Sequence, residues 1–85
     1  MSDIQDKVLA DIKAERESQD EKWGIQDHIA QTWACIIGEE YGEMCKAVNE
    51  FSFGKDTQKD IYNEAIQTAA SCVALCEHMR RVKAI

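Results

Sequence analysis

The sequence contains no proline and only four glycines among its 85 residues, so it is poor in the residues that interrupt helices. It also has no apolar run close to the ~20 residues that are needed to span a bilayer. Apolar residues make up 45% of the chain, and they recur with a helical period. The sequence therefore predicts a single all-α domain over residues 1–85.

Basic residues are also scarce. The chain has 10 Lys and Arg against 16 Asp and Glu, a formal net charge of -6. Phosphate backbones and anionic membrane surfaces repel such a chain, so we expect neither nucleic acid nor a membrane as a partner. Because Met1-Ser2-Asp3 leads directly into charged residues, no secretory signal is expected, and the prediction is a cytoplasmic protein.

The four cysteines contain no CxxC pair. Cys72 and Cys76 lie four residues apart on one helical face, a spacing that a metal site could use, but no set of His or Cys neighbours completes it. The favoured interpretation is that Cys35, Cys45, Cys72 and Cys76 are small buried core residues in a reducing compartment.

Helical periodicity predicts three main helices, over residues 3 to about 21, 30 to about 50 and 57 to about 82. Gly24 is expected to end the first helix or to permit a turn there. Thr57 or Asp56 is expected to cap the third helix, and Thr57 with Asp60 approximates a capping box. The first helix has a thin apolar stripe, so we expect it to cover the other two from outside.

The third helix is apolar on two faces, one running from Ile61 to Met79 and the other from Tyr62 to Val73. A helix of this kind must be covered on both sides, and a chain of this length buries only a modest core. We therefore expect the bundle to be completed by oligomerisation, with this helix at the interface. Arg80 and Arg81 suit a helix C-terminus at least as well as a role in ligand binding.

Carboxylates interrupt the apolar stripe of the second helix. Glu40 projects into the middle of an arc that also holds Trp33, Ile37, Met44, Ala47 and Phe51. Glu43 lies beside Ile36, and Glu39 lies on the flank. An ionised carboxylate on a core-facing surface costs on the order of several kcal/mol unless a cation or a hydrogen-bond partner is present. A positive partner is therefore expected.

The third helix carries a matching pair, Glu64 and Gln67, at the same three-residue spacing. Glu43 and Glu64 each lie about eight residues, or about 12 Å, from the connection between the helices, so the two pairs are expected at similar depth. Three carboxylates and an amide oxygen suit Mg²⁺ or Mn²⁺. A di-iron site would need Glu-x-x-His pairs, and no histidine follows Glu40 or Glu64 at that spacing.

Two alternatives stay open at this point. The acids of the second and third helices could pair with Lys or Arg of a partner chain, although no basic residue lies on the apolar arcs of those two helices. The connection over residues 22–29 contains Trp23 and His28, which could serve ligand recognition. Trp23 could equally plug the end of the bundle, with His28 at the surface.

Three motifs resemble those of a known family. Glu39-Glu40-Tyr41-Gly42-Glu43 matches the EExxE signature of the all-α nucleoside triphosphate pyrophosphohydrolases, the MazG-like superfamily. The segment Glu64-Ala65-Ile66-Gln67 resembles their ExxD signature, with glutamine in place of the final aspartate. The stretch from Glu15 to His28 is similar to the ERxxQDxKWGxQxH lead-in of small bacterial and phage members.

The resemblance implies Mg²⁺-dependent hydrolysis of a nucleoside triphosphate to the monophosphate and pyrophosphate, in a homodimer or homotetramer. By position, the metal ligands would be Glu40, Glu43, Glu64 and Gln67, with Glu39 and Glu40 acting on the attacking water. Trp23 and His28 would contact the base, and Lys22 would lie near the phosphates. The alternative, motivated by Gln67, is a catalytically weak or inactive helical module that binds a nucleotide or a protein.

Overall fold

The computed structural model describes residues 2–85, which form three α-helices and no strand. Helix α1 spans Asp3–Trp23, α2 spans Ala30–Ser52 and α3 spans Gln58–Arg81. The predicted all-α bundle of three helices is confirmed. Within these residues no helix combines the length and the apolar content that crossing a bilayer requires.

Helix α3 is the central element. It packs against both α1 and α2, whereas the backbones of α1 and α2 do not approach one another within the described residues. The expectation that α1 covers the other helices from outside is therefore met only towards α3. Because the backbones of the two outer helices stay apart, a groove with α3 as its floor lies between them.

The core is small and lies between α2 and α3. Its buried apolar residues are Trp33 and Ala47 from α2 and Ala70 and Ala74 from α3. The indole of Trp33 packs against His78, and it therefore lies at the end of this core near the α3 C-terminus. Of the predicted apolar arc, Trp33 and Ala47 are buried as expected, but Phe51 is 44% exposed. No residue of α1 is buried.

Gly24 ends α1, as the sequence predicts. Its φ of 72° lies in the left-handed region, and its backbone N–H donates a 2.8 Å hydrogen bond to the Asp20 carbonyl. The connection to α2 is shorter than predicted, because Lys22 and Trp23 belong to the last turn of α1. The helix continues until the first residue that tolerates a positive φ.

The predicted capping box at the start of α3 is wrong. Thr57 precedes the helix, but its side chain accepts no hydrogen bond from the first turn. The hydroxyl instead donates to the Ala47 carbonyl oxygen at 2.7 Å, and Thr57 is only 8% exposed. The residue therefore connects the start of α3 to the body of α2.

The prediction of buried cysteines is also wrong for this chain. Cys35 and Cys45 on α2, and Cys72 and Cys76 on α3, are all exposed. They lie on the sides of α2 and α3 that no neighbouring helix covers. The apolar period correctly assigned them to helix faces, but it could not tell which faces meet another helix.

Candidate functional site

The groove between α1 and α2 encloses about 470 Å³. Its α1 wall includes Arg16 and Trp23, its α2 wall Trp33, Ile36 and Glu40, and its α3 floor Ser71, Ala74, Arg80 and Arg81. Aromatic and apolar surface therefore lies beside arginines and a carboxylate. This combination suits a ligand that has a planar ring and several charged groups.

Glu40 connects the groove with a cluster of acids. It is half-buried, and burial raises the pKa of its carboxyl group. The charges of Glu64, Glu15, Glu43 and Glu39 raise this pKa further, in that order. Carboxylates from all three helices are therefore close enough to repel one another electrostatically. The sequence predicted this proximity only for α2 and α3.

Glu64 faces the same cluster from α3. Its Oε2 atom is buried and has no hydrogen-bond partner. Burial raises the pKa of this carboxyl group, and the charges of Glu43 and Asp60 raise it further. A buried acceptor without a partner carries a desolvation cost of about 1–3 kcal/mol, more when it is charged. A cation at Glu64 would remove both that cost and the repulsion from Glu43.

Gln67 lies towards α1 rather than towards the groove. It is half-buried and borders a second cavity of about 380 Å³ together with Asp11, Glu15 and Tyr62. Glu43 and Glu39 are exposed on α2. Across residues 2–85, no three His, Cys, Asp or Glu side chains are arranged as a ready ligand set for a metal.

The donor chemistry nevertheless fits a hard divalent cation. The cluster around Glu40 and Glu64 offers carboxylate oxygens, and Gln67 adds an amide oxygen on the side of α3 that faces α1. Mg²⁺ uses few protein carboxylates and keeps several waters, so it does not require a closed protein cage. The buried Oε2 of Glu64, which has no hydrogen-bond partner, is an acceptor that such an ion would satisfy.

The three residues predicted to contact the nucleotide, Lys22, Trp23 and His28, do not all lie at the groove. Trp23 lines the groove and is 65% exposed, so it does not plug the bundle. His28 is half-buried and packs edge-on against Trp33, with ring centroids 5.0 Å apart. Neither His28 nor Lys22 belongs to the groove lining. Of these three residues, only Trp23 lines the groove, and its exposed ring is accessible to a ligand.

Arg16 joins the α1 wall to α3, a contact that the sequence did not predict. Its guanidinium donates to Glu77 at 2.6 Å, to Asp20 at 2.8 Å and to Gln19 at 2.9 Å. The i,i+4 spacing of Arg16 and Asp20 is visible in the sequence. Glu77 lies 61 residues away, so only the folded chain identifies it as a partner.

A second missed cluster closes the end of the groove near the α3 C-terminus. Asp27 accepts a 2.8 Å hydrogen bond from His78 Nδ1, and Arg81 Nη2 lies 3.3 Å from the same carboxylate oxygen. The hydrogen bond from His78 is the main cause that holds the pKa of Asp27 below its usual range, followed by that from Arg81. His78 also packs against Trp33, with centroids 5.6 Å apart.

No family model, no curated protein and no solved structure matches this chain. The assignment of a function therefore depends on the groove, the carboxylate cluster beside it and the motifs of the sequence.

Proposed function

We propose that this chain is a MazG-like, Mg²⁺-dependent pyrophosphohydrolase of nucleoside or deoxynucleoside triphosphates, which removes unwanted nucleotides in the cytoplasm. The observation that carries the proposal is the buried, unpartnered Oε2 of Glu64, in a carboxylate cluster that borders a ring-sized groove. The EExxE motif and the lead-in from Glu15 to His28 support it by resemblance.

The charge balance favours a substrate that arrives with a divalent ion. The chain carries a net charge of -6, and the carboxylates around Glu40 already repel one another. A bare triphosphate would add further negative charge to this cluster. Mg²⁺ is commonly shared between protein carboxylates and substrate phosphates, so one ion would neutralise both sides.

In this proposal Glu40, Glu43 and Glu64 hold the ion, with Gln67 as a neutral oxygen donor. Bound Mg²⁺ would lower the pKa of a coordinated water and neutralise charge on the phosphates. Glu39, with Glu40, orients the attacking water and accepts its proton. The water oxygen bonds to the α-phosphorus, the bond from that phosphorus to the α–β bridging oxygen breaks, and pyrophosphate leaves with the bridging oxygen.

The groove would hold the nucleoside. Trp23 offers an exposed ring on which a base can stack, and the arginines of the groove supply donors to sugar or phosphate oxygens. Contacts from Lys22 and His28 remain predictions from the resemblance, because neither side chain lines the groove.

The test is release of pyrophosphate and monophosphate from a panel of NTPs and dNTPs with Mg²⁺. We expect turnover of at least one nucleotide, which EDTA abolishes. Glu64→Gln and Glu43→Gln should lower the rate by on the order of 100-fold. Glu17→Gln, an exposed position on α1, is the matched control and should keep full activity.

Absence of turnover for every nucleotide, in protein with a native circular-dichroism spectrum, would overturn the enzymatic proposal. Binding of a nucleotide without turnover would support the alternative, a catalytically weak or inactive module. The replacement of the family aspartate by Gln67 is the feature that favours that alternative, because the amide brings no charge to the ion.

We further propose that the active form is a homodimer or homotetramer. The outer face of α2 is exposed and uncharged along about four turns, with residues Ala34, Gly38, Tyr41, Cys45 and Val48. Gly38 and Gly42 have nothing within 4 Å of the position a Cβ would occupy. Glycine within a helix costs about 1 kcal/mol relative to alanine, and close approach of another helix is a physical reason to keep it.

A further inference from the structure

Asp27 links the α1–α2 connection to the last turn of α3. Its side chain is 62% exposed, yet it contacts both the imidazole of His78 at 2.8 Å and the guanidinium of Arg81 at 3.3 Å. Arg81 Nη2 also donates to the Gln26 carbonyl at 3.1 Å. One carboxylate and one backbone carbonyl therefore fix the direction of the Arg81 side chain.

Of the two side chains that Asp27 contacts, Arg81 lines the groove and His78 does not. His78 instead packs against the buried ring of Trp33. Loss of the Asp27 carboxylate would therefore release a charged groove-lining side chain while the core between α2 and α3 stays intact.

The groove connects this end with the carboxylate cluster, because Glu40 and Arg81 both line it. A nucleotide whose α-phosphate lies at Glu40 would place its nucleoside within the groove, which Arg81 and Trp23 also line. Changes at Arg81 would then alter binding of the base end without altering the reacting phosphate.

We propose that Asp27 is a positioning residue that builds the base-binding part of the groove by fixing Arg81. The proposal rests on the pyrophosphohydrolase function above, and it assigns affinity for the nucleoside to the groove and chemistry at the phosphates to the carboxylate cluster beside it. Asp27 contacts no substrate atom and acts through Arg81.

The test compares Asp27→Asn, Asp27→Glu and the control Asp3→Asn, an exposed residue at the start of α1. Loss of one charge-assisted contact is expected to raise KM of Asp27→Asn about tenfold, with kcat within twofold of the parent. Asp27→Glu keeps the charge and should recover part of the affinity. Imidazole ¹⁵N shifts of His78 report whether the contact is broken.

An altered His78 signal with an unchanged KM would overturn the proposal, as would a fall in kcat at constant KM. Both outcomes leave the pyrophosphohydrolase function standing, because they are measured in a working enzyme. If the parent protein neither binds nor hydrolyses any nucleotide, that result contradicts the proposed function itself. The role proposed for Asp27 is then contradicted as well, because it depends on that function.

Discussion

The hydroxyl of Thr57 donates a 2.7 Å hydrogen bond to the carbonyl oxygen of Ala47, ten residues earlier in the chain. Both residues are buried, in a protein whose core contains few large side chains. This bond ties the first residue before α3 to the last turns of α2, and it thereby sets how the two helices begin to pack.

Thr57→Val should destabilise the protein. Valine keeps the shape of threonine but removes the donor, so the expected loss is about 1–2 kcal/mol of unfolding free energy. For a chain of this size, that corresponds to a fall in Tm of several degrees, roughly 4–8 °C per kcal/mol. Urea and thermal unfolding measure both quantities. Thr57→Ser keeps the hydroxyl and should stay closer to the parent. Equal stability of Thr57→Val and the parent would contradict the role given to this bond.

Stability should rise as the pH falls from neutral towards about 4.5. The pKa values of Glu40 and Glu64 are raised in the folded state, so the folded chain binds protons more readily than the unfolded chain in this interval. Their contribution is complete below the unfolded value of 4.5 and is lost as the pH rises through the folded values. Thermal melts in EDTA across the pH range measure this slope.

Asp27 has the opposite effect on the pH dependence of stability, and it acts at lower pH. Its pKa is held below the ordinary 3.8, so its contribution to stability is present above that value and is lost as the pH falls through the folded pKa. The pH–stability curve should therefore pass through a maximum. Glu64→Gln should flatten the slope on the neutral side only, whereas Glu17→Gln should leave it unchanged. A slope that is the same in all three proteins would refute the assignment to Glu64.

Helix α1 should open more readily than the rest of the fold. It has no buried residue and packs only against α3. The polar contacts that hold it there are the Arg16–Glu77 salt bridge and the hydrogen bond from Tyr62 to Asp11. Glu77→Gln should increase amide hydrogen exchange in α1 about fivefold. Exchange at Ala70 should not change. If amides of α1 and of Ala70 exchange at one common rate in the parent, α1 does not open independently.

Gly42→Leu should dissociate the homo-oligomer that we propose. In the isolated chain the new side chain would enter open space, and the helix should become more stable by roughly 1 kcal/mol because glycine is replaced. Across an interface of closely packed helices, the same side chain would cause a clash. Light scattering coupled to size exclusion measures the mass, with Ala10→Leu on the exposed side of α1 as control. A parent protein that is monomeric at high concentration would contradict the proposal of a homo-oligomer.

The sequence predicted the parts of the fold that depend on local preferences. The absence of proline and the apolar period gave three helices close to their observed limits, and Gly24 ends α1 because few other residues adopt its φ of 72°. The pairing of Glu43 with Glu64 also followed from local geometry, since equal distances from one turn place two residues at one depth.

Contacts between distant residues were beyond such reasoning. Periodicity placed Cys45 and Cys72 on helix faces, but exposure depends on which face meets a neighbour. Thr57 has the residue type of an N-cap, yet a carbonyl on α2 competes for its hydroxyl. The links from Glu77 to Arg16 and from His78 to Asp27 span more than 50 positions, and nothing in the local pattern distinguishes these acids from other solvated ones.

The separation of α1 from α2 gives the two walls of the groove different freedom to vary. The α2 wall contains Trp33 and shares the core with α3, so substitutions there change the shape of the site and the stability of the protein together. The α1 wall contributes Trp23 and Arg16 but no buried residue. Because Trp23 is exposed, substitutions at this position can change the lining of the groove at little cost to folding. Trp23 is therefore the natural target for redesigning what the groove accepts.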